Sequence, residues 1–136
     1  MKVRLSKCSL SDTEITSVEK VFSSEYLGMG SQVFEFEKSI SDYLKTKSEV
    51  ICVNSGTSAL QLSLSALGIK NGDEVLVPSL TYVASYQAIS ATGAIPVSCE
   101  VCPQTMFIDP KDAERRITSK TKAIMPIHYG GSYAGI

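Results

Sequence analysis

What this chain of 136 residues lacks already narrows what it does. Neither sign of charge dominates: 13 Lys and Arg face 14 Asp and Glu, a net charge of -1. That balance argues against nucleic acid or an anionic membrane as the main partner, because both select an excess of cations. There is no repeat, low-complexity segment or linker, and no extreme of composition, which sets aside disordered, collagen-like and disulfide-scaffold chains. What remains, at 43% hydrophobic and 20% charged residues, is the composition of a soluble globular protein. A chain of this length buries roughly two-thirds of its unfolded surface, enough for a real core.

Membrane and export signals are also missing. Residues Met1 to Leu10 carry charges with no apolar stretch after them, so no signal peptide is expected. Val50 to Ile69 and Val75 to Cys99 are free of charge and long enough to span a bilayer. Both are interrupted, however, by turn and helix-start chemistry: Asn54-Ser55-Gly56-Thr57 in the first, Pro78-Ser79-Leu80-Thr81-Tyr82 in the second. They read as buried strand-helix units of a soluble domain, with a cytoplasmic location expected.

Four cysteines (Cys8, Cys52, Cys99, Cys102) include one C-x-x-C spacing, at Cys99 and Cys102. A structural zinc site wants a second ligand pair, and only His128 and two scattered cysteines remain. A redox dithiol normally opens a helix, whereas here Pro103 and Gln104 follow a strand-like run. Two ordinary thiols at a strand end is the preferred reading, and no metal site is expected.

Ser11-Asp12-Thr13-Glu14 is a capping box and predicts a helix over about 12–24. A loop at Gly28 to Ser31 precedes a second helix over about 32–46, with Val33, Phe36, Ile40 and Leu44 at helical spacing. Short apolar runs then recur at Val50–Val53, Val75–Val77, Ile95–Val97 and Ala123–Met125. Helix candidates lie between them at Thr57–Leu67, Tyr82–Thr92 and Pro110–Ile117. Gly68 is placed to end the first of these, and Asp109-Pro110 to cap the third. The runs do not alternate polar with apolar residues, as suits parallel strands covered on both faces. The expected fold class is α/β with a mainly parallel sheet.

In such sheets ligands bind beyond the carboxyl ends of the strands. Three of those ends carry informative residues. At the first, Gly56 permits close approach of the backbone, and Thr57 and Ser58 begin a helix whose free N–H groups favour an anion. The segment reads as a phosphate cradle, or alternatively as a tight turn with a Ser or Thr cap. It lacks both the Walker lysine and the three-glycine dinucleotide fingerprint, which demotes ATP and NAD. At the second, Tyr82 is either an aromatic platform for a planar ring or half-buried core. At the third, His128 suits acid-base work or a packed, loop-orienting role.

Taken in order, these blocks resemble the DegT/DnrJ/StrS group of pyridoxal-phosphate-dependent sugar aminotransferases. The matching text is Asn54–Leu60 (N-S-G-T-S-A-L), Ala66–Ile69, Gly72–Pro78 and Thr81–Ala84. It continues through Gly93–Val97, Asp109-Pro110, Thr121–Ile124 and Pro126–Gly130, with a looser match at Gly28, Gly30 and 34–37. The resemblance covers nearly all of the chain, and its weight lies in the ordered set.

It implies the large domain of a fold-type-I transferase, a three-layer sandwich. Residues 1–48 would be an N-terminal helical arm and 49–136 the first part of the cofactor-binding domain. It further implies a homodimer with active sites at the subunit interface. The reaction it implies moves an amino group, from glutamate or glutamine, onto a keto group of a nucleotide-linked sugar. Polysaccharide, lipopolysaccharide or antibiotic-sugar biosynthesis would be the setting. By position, Gly56, Thr57 and Ser58 would hold the phosphate of pyridoxal 5'-phosphate and Tyr82 would stack on its ring. His128 matches a recurrent position without an assigned role.

Transamination also needs a lysine to anchor the cofactor and an acid to pair with the ring nitrogen. In the family both lie further along than the His-Tyr-Gly block. The last of the ten lysines here, Lys122, sits in a context that matches a structural strand, and Asp109 and Asp112 belong to a helix start. The chain is therefore expected to be a truncated N-terminal portion, inactive alone, with unpaired sheet edges that favour association. Two alternatives stand beside this: another fold-type-I enzyme, such as a lyase or a cysteine-desulfurase relative, and a non-catalytic truncated paralogue that binds a phosphate ligand or a full-length subunit.

Overall fold

The computed structural model describes residues 6–133, so residues 1–5 of the amino-terminal stretch read above lie outside it. The chain divides into two compact units, Met1–Cys52 and Val53–Ile136.

The first unit holds α1 (Asp12–Ser23) and α2 (Ser31–Leu44). The capping box forms as its sequence requires: Thr13 N–H donates to Ser11 Oγ, and Ser11 N–H donates to Glu14 Oε2 at 2.6 Å. The Ser11 hydrogen bonds hold the Glu14 carboxyl below its usual range. Neither helix buries a residue fully. The expected stripe on α2 is thus only partly covered: Val33 and Ile40 are half-buried, while Phe36 and Leu44 stand in the open.

The second unit contains α3 (Gly56–Ala66), β1 (Glu74–Pro78), α4 (Val83–Ala91), β2 (Ile95–Cys99), α5 (Pro110–Arg116) and β3 (Thr121–Ile124). The three strands form one parallel sheet in the order β2-β1-β3. Central β1 explains its own unbroken apolar text, since Val75, Leu76, Val77 and Pro78 are all buried. Alternate residues serve opposite faces. Val75 and Val77 pack with Leu64, Ile69, Ala88 and Ile89, under α3 and α4. Leu76 packs with Cys99, Ile108 and Ala113, under α5. Helices on both faces give three layers, the fold class the sequence predicts.

One predicted strand is absent. Val50–Val53 joins no ladder, and Ile51 is 73% exposed. An apolar run becomes a strand only where a neighbour supplies complementary N–H and C=O groups. None of β1, β2 and β3 pairs with it. The backbone hydrogen bond it does make, from Cys52 N–H to Glu37 Oε1 at 2.7 Å, goes to a side chain of α2.

The turns at the amino edge of the sheet follow their glycines. Gly68 has φ +77 just after α3, and Gly93 has φ +82 between α4 and β2. A Cβ on Gly93 would come within 3.2 Å of Asn71, so two connections meet there closely.

Candidate functional site

α3 finishes at the amino edge of the sheet, because only a short connection separates Ala66 from Glu74. Its 11 residues span about 16 Å at 1.5 Å each. The five residues of β1 cover a similar length at roughly 3.3 Å each. The start of α3 is therefore carried back to the carboxyl edge, where Tyr82 follows β1 and His128 follows β3. The register pairs Leu76 with Ile124, and Met125 N–H donates to Leu76 O at 2.8 Å.

Ser55 is the N-cap of α3, accepting from Ser58 N–H at 3.1 Å. Its hydroxyl donates to Ser58 Oγ at 3.0 Å, and Ser58 Oγ donates to Asn54 Oδ1 at 2.7 Å. Gly56 and Thr57 open the helix, so their N–H groups have no carbonyl four residues back within it. A Cβ built on Gly56 meets no atom within 4 Å, and its φ is not positive. Neither packing nor backbone conformation demands glycine there; the space beside it is open. Tyr82 is the N-cap of α4 and is 79% exposed, so it is not core. His128 is exposed as well.

These features suit the phosphate and ring of a pyridoxal cofactor. Two N–H groups at the positive end of a helix favour an anion, the vacancy at Gly56 admits a close approach, and a free aromatic face lies at the same edge. Lys122 lies elsewhere. The β1–β3 register skips it, and it lines a hollow of about 370 Å³ with Gly68, Lys70 and Asp73 at the amino edge.

Asp109 and Asp112 have structural work. Asp109 caps α5, accepting from Lys111 N–H at 2.9 Å. Asp112 is 5% exposed and accepts from Glu100 N–H at 2.8 Å, from Arg115 Nη2 at 2.9 Å and from Arg116 Nε. These bonds, that from Arg116 first, lower its pKa to about 2.

The four thiols are free. Burial pushes the Cys99 thiol up, whereas hydrogen bonds at Gln104 and Thr105 hold that of Cys102 down. Among the described residues no group of three or more His, Cys, Asp or Glu converges as a metal site, and no helix is long and apolar enough to cross a membrane. The sequence singles out Ser58 as a candidate ligand but not its link to Asn54 and Ser55, for which the Ser-x-x-Ser spacing at the helix start was the available signal.

The second unit is thus a three-layer α/β fold with a helix start and an exposed aromatic at the carboxyl edge of its parallel sheet. Residues 9–136 match the DegT/DnrJ/EryC1/StrS aminotransferase family, and the chain belongs to it. Over 131 residues the chain is 38% identical to dTDP-4-dehydro-2,3,6-trideoxy-D-glucose 4-aminotransferase of Saccharopolyspora spinosa, covering 96% of this chain and 34% of that protein. It is 48% identical over 103 residues to GDP-perosamine synthase of Caulobacter vibrioides, covering 76% of this chain and 28% of that one. Among solved structures, NtdA of Bacillus subtilis with bound cofactor PMP superposes with a TM-score of 0.86 at 35% identity, covering 91% of this chain and 28% of that one. The chain spans about a third of the length of the relatives it matches.

Proposed function

We propose that this chain supplies the phosphate- and ring-binding part of a pyridoxal-phosphate aminotransferase that acts on a keto group of a nucleotide-linked sugar. Family membership supports the reaction class, and the names of the two curated relatives support the substrate class. Glutamate or glutamine as donor, a cytoplasmic location and a homodimer are the parts of the proposal that rest on the family resemblance.

The observation that carries the cofactor reading is the open space beside Gly56, at a helix start where the fold has no need of glycine. The N–H groups of Gly56 and Thr57 would hold the phosphate, with the Thr57 hydroxyl as a further donor, and the ring of Tyr82 would lie against the pyridine. The bound cofactor supplies an electron sink and carries the amino group between donor and acceptor. This chain's residues fix that sink in place. Lys122 stays out of the chemistry because it lies at the opposite edge of the sheet.

The test is Gly56→Trp with pyridoxamine 5'-phosphate as probe, followed by calorimetric titration. With phosphate and stacking contacts alone, the parent is expected to bind with a dissociation constant on the order of millimolar, about 4 kcal/mol of binding free energy. The variant should keep its melting temperature and lose binding, since the added side chain enters empty space. If it unfolds, or binds as the parent does, the space beside Gly56 is not a phosphate site.

A further inference from the structure

We infer that Ser58 is not a phosphate ligand but a positioning residue, which acts with Asn54 and Ser55 to leave Gly56 and Thr57 as the anion donors. The inference rests on the cofactor reading and divides the labour within it. A serine has one hydroxyl proton and one backbone N–H to give. Both are committed: the hydroxyl to Asn54 Oδ1 at 2.7 Å, the N–H to Ser55 Oγ at 3.1 Å. Ser55 returns its own hydroxyl proton to Ser58 Oγ at 3.0 Å, which closes the link between the two side chains. Ser58 then offers an incoming phosphate only a lone pair, which repels an anion. Gly56 and Thr57 precede the closed link, at the outermost turn, where N–H groups are unclaimed by the helix. Asn54 and Ser55 hold that turn in shape before any ligand arrives, so its ordering adds no cost on binding.

Amide spectra of the full chain, recorded during titration with pyridoxamine 5'-phosphate, separate the roles. This probe has no aldehyde and so does not label lysines; pyridoxamine serves as the phosphate-free control. The Gly56 and Thr57 amides should move with the phosphate-bearing probe and the Ser58 amide least. Asn54→Ala, which leaves the Ser58 hydroxyl intact, should weaken binding by ~5-fold, as expected for loss of a helix-start lock. It should also speed amide exchange in the first turn of α3 without ligand. Ser58→Ala should do the same, and the double variant should be no weaker than either single one. Full affinity in Asn54→Ala with loss of binding in Ser58→Ala would make Ser58 a direct donor, overturning the inference while leaving the cofactor reading intact. No response anywhere in the first turn of α3 at millimolar probe would overturn both.

Discussion

Asp112 shows what a single side chain contributes. Its carboxylate is buried, receives two arginines and a backbone N–H, and has its pKa lowered to about 2. A carboxyl whose folded pKa lies below its unfolded value near 4 stabilises the fold above that value. That contribution is lost as pH falls toward 2. Asp112→Asn should therefore melt earlier than the parent at pH 6, with the gap closing between pH 4 and 2, as thermal melts across that range will show. The glycines offer a second comparison. Gly93→Ala places a Cβ 3.2 Å from Asn71 at φ +82, while Gly68→Ala meets open space at φ +77. Left-handed strain costs each roughly 1 kcal/mol, and crowding adds a further 1–3 kcal/mol at Gly93 alone. Denaturant melts should rank them in that order. The chemistry of Asp109 was legible from the proline after it. That of Asp112 was not, because its partner Glu100 N–H is brought there only by the β2–α5 connection.

At the scale of elements, reading by pattern succeeded where the signal is local. The Ser11 capping box, the cap at Asp109 and the glycine after α3 are decided by neighbours in sequence. Strand text is different, because a strand depends on what lies beside it. Val50–Val53 and Val75–Val77 read alike, yet only the second has strands on both sides. Stability should divide accordingly. Leu76→Ala, at a fully buried position between the two neighbouring strands, should cost about 2–5 kcal/mol in chemical denaturation. Ile51→Ala, at an exposed position outside the sheet, should cost within roughly 0.5 kcal/mol. The candidate site shows the same split. The glycine and hydroxyls of the α3 start were visible as a motif, while the link among Asn54, Ser55 and Ser58 depends on hydrogen bonds that spacing alone leaves open.

At the scale of the whole molecule, the chain matches about a third of each curated relative, and the proposal gives that third one side of a binding site. The start of α3 and an exposed aromatic lie at the carboxyl edge of a three-stranded sheet; the hollow with Lys122, Lys70 and Asp73 lies at the other. Two cationic side chains make that second place a natural competitor for a phosphate, so the edges can be set against each other. A crystal of this chain soaked in pyridoxamine 5'-phosphate does so directly. The account predicts phosphate oxygens about 3 Å from the N–H groups of Gly56 and Thr57, with the pyridine ring against Tyr82. A phosphate seated instead between Lys70 and Lys122, with nothing at the start of α3, would contradict it.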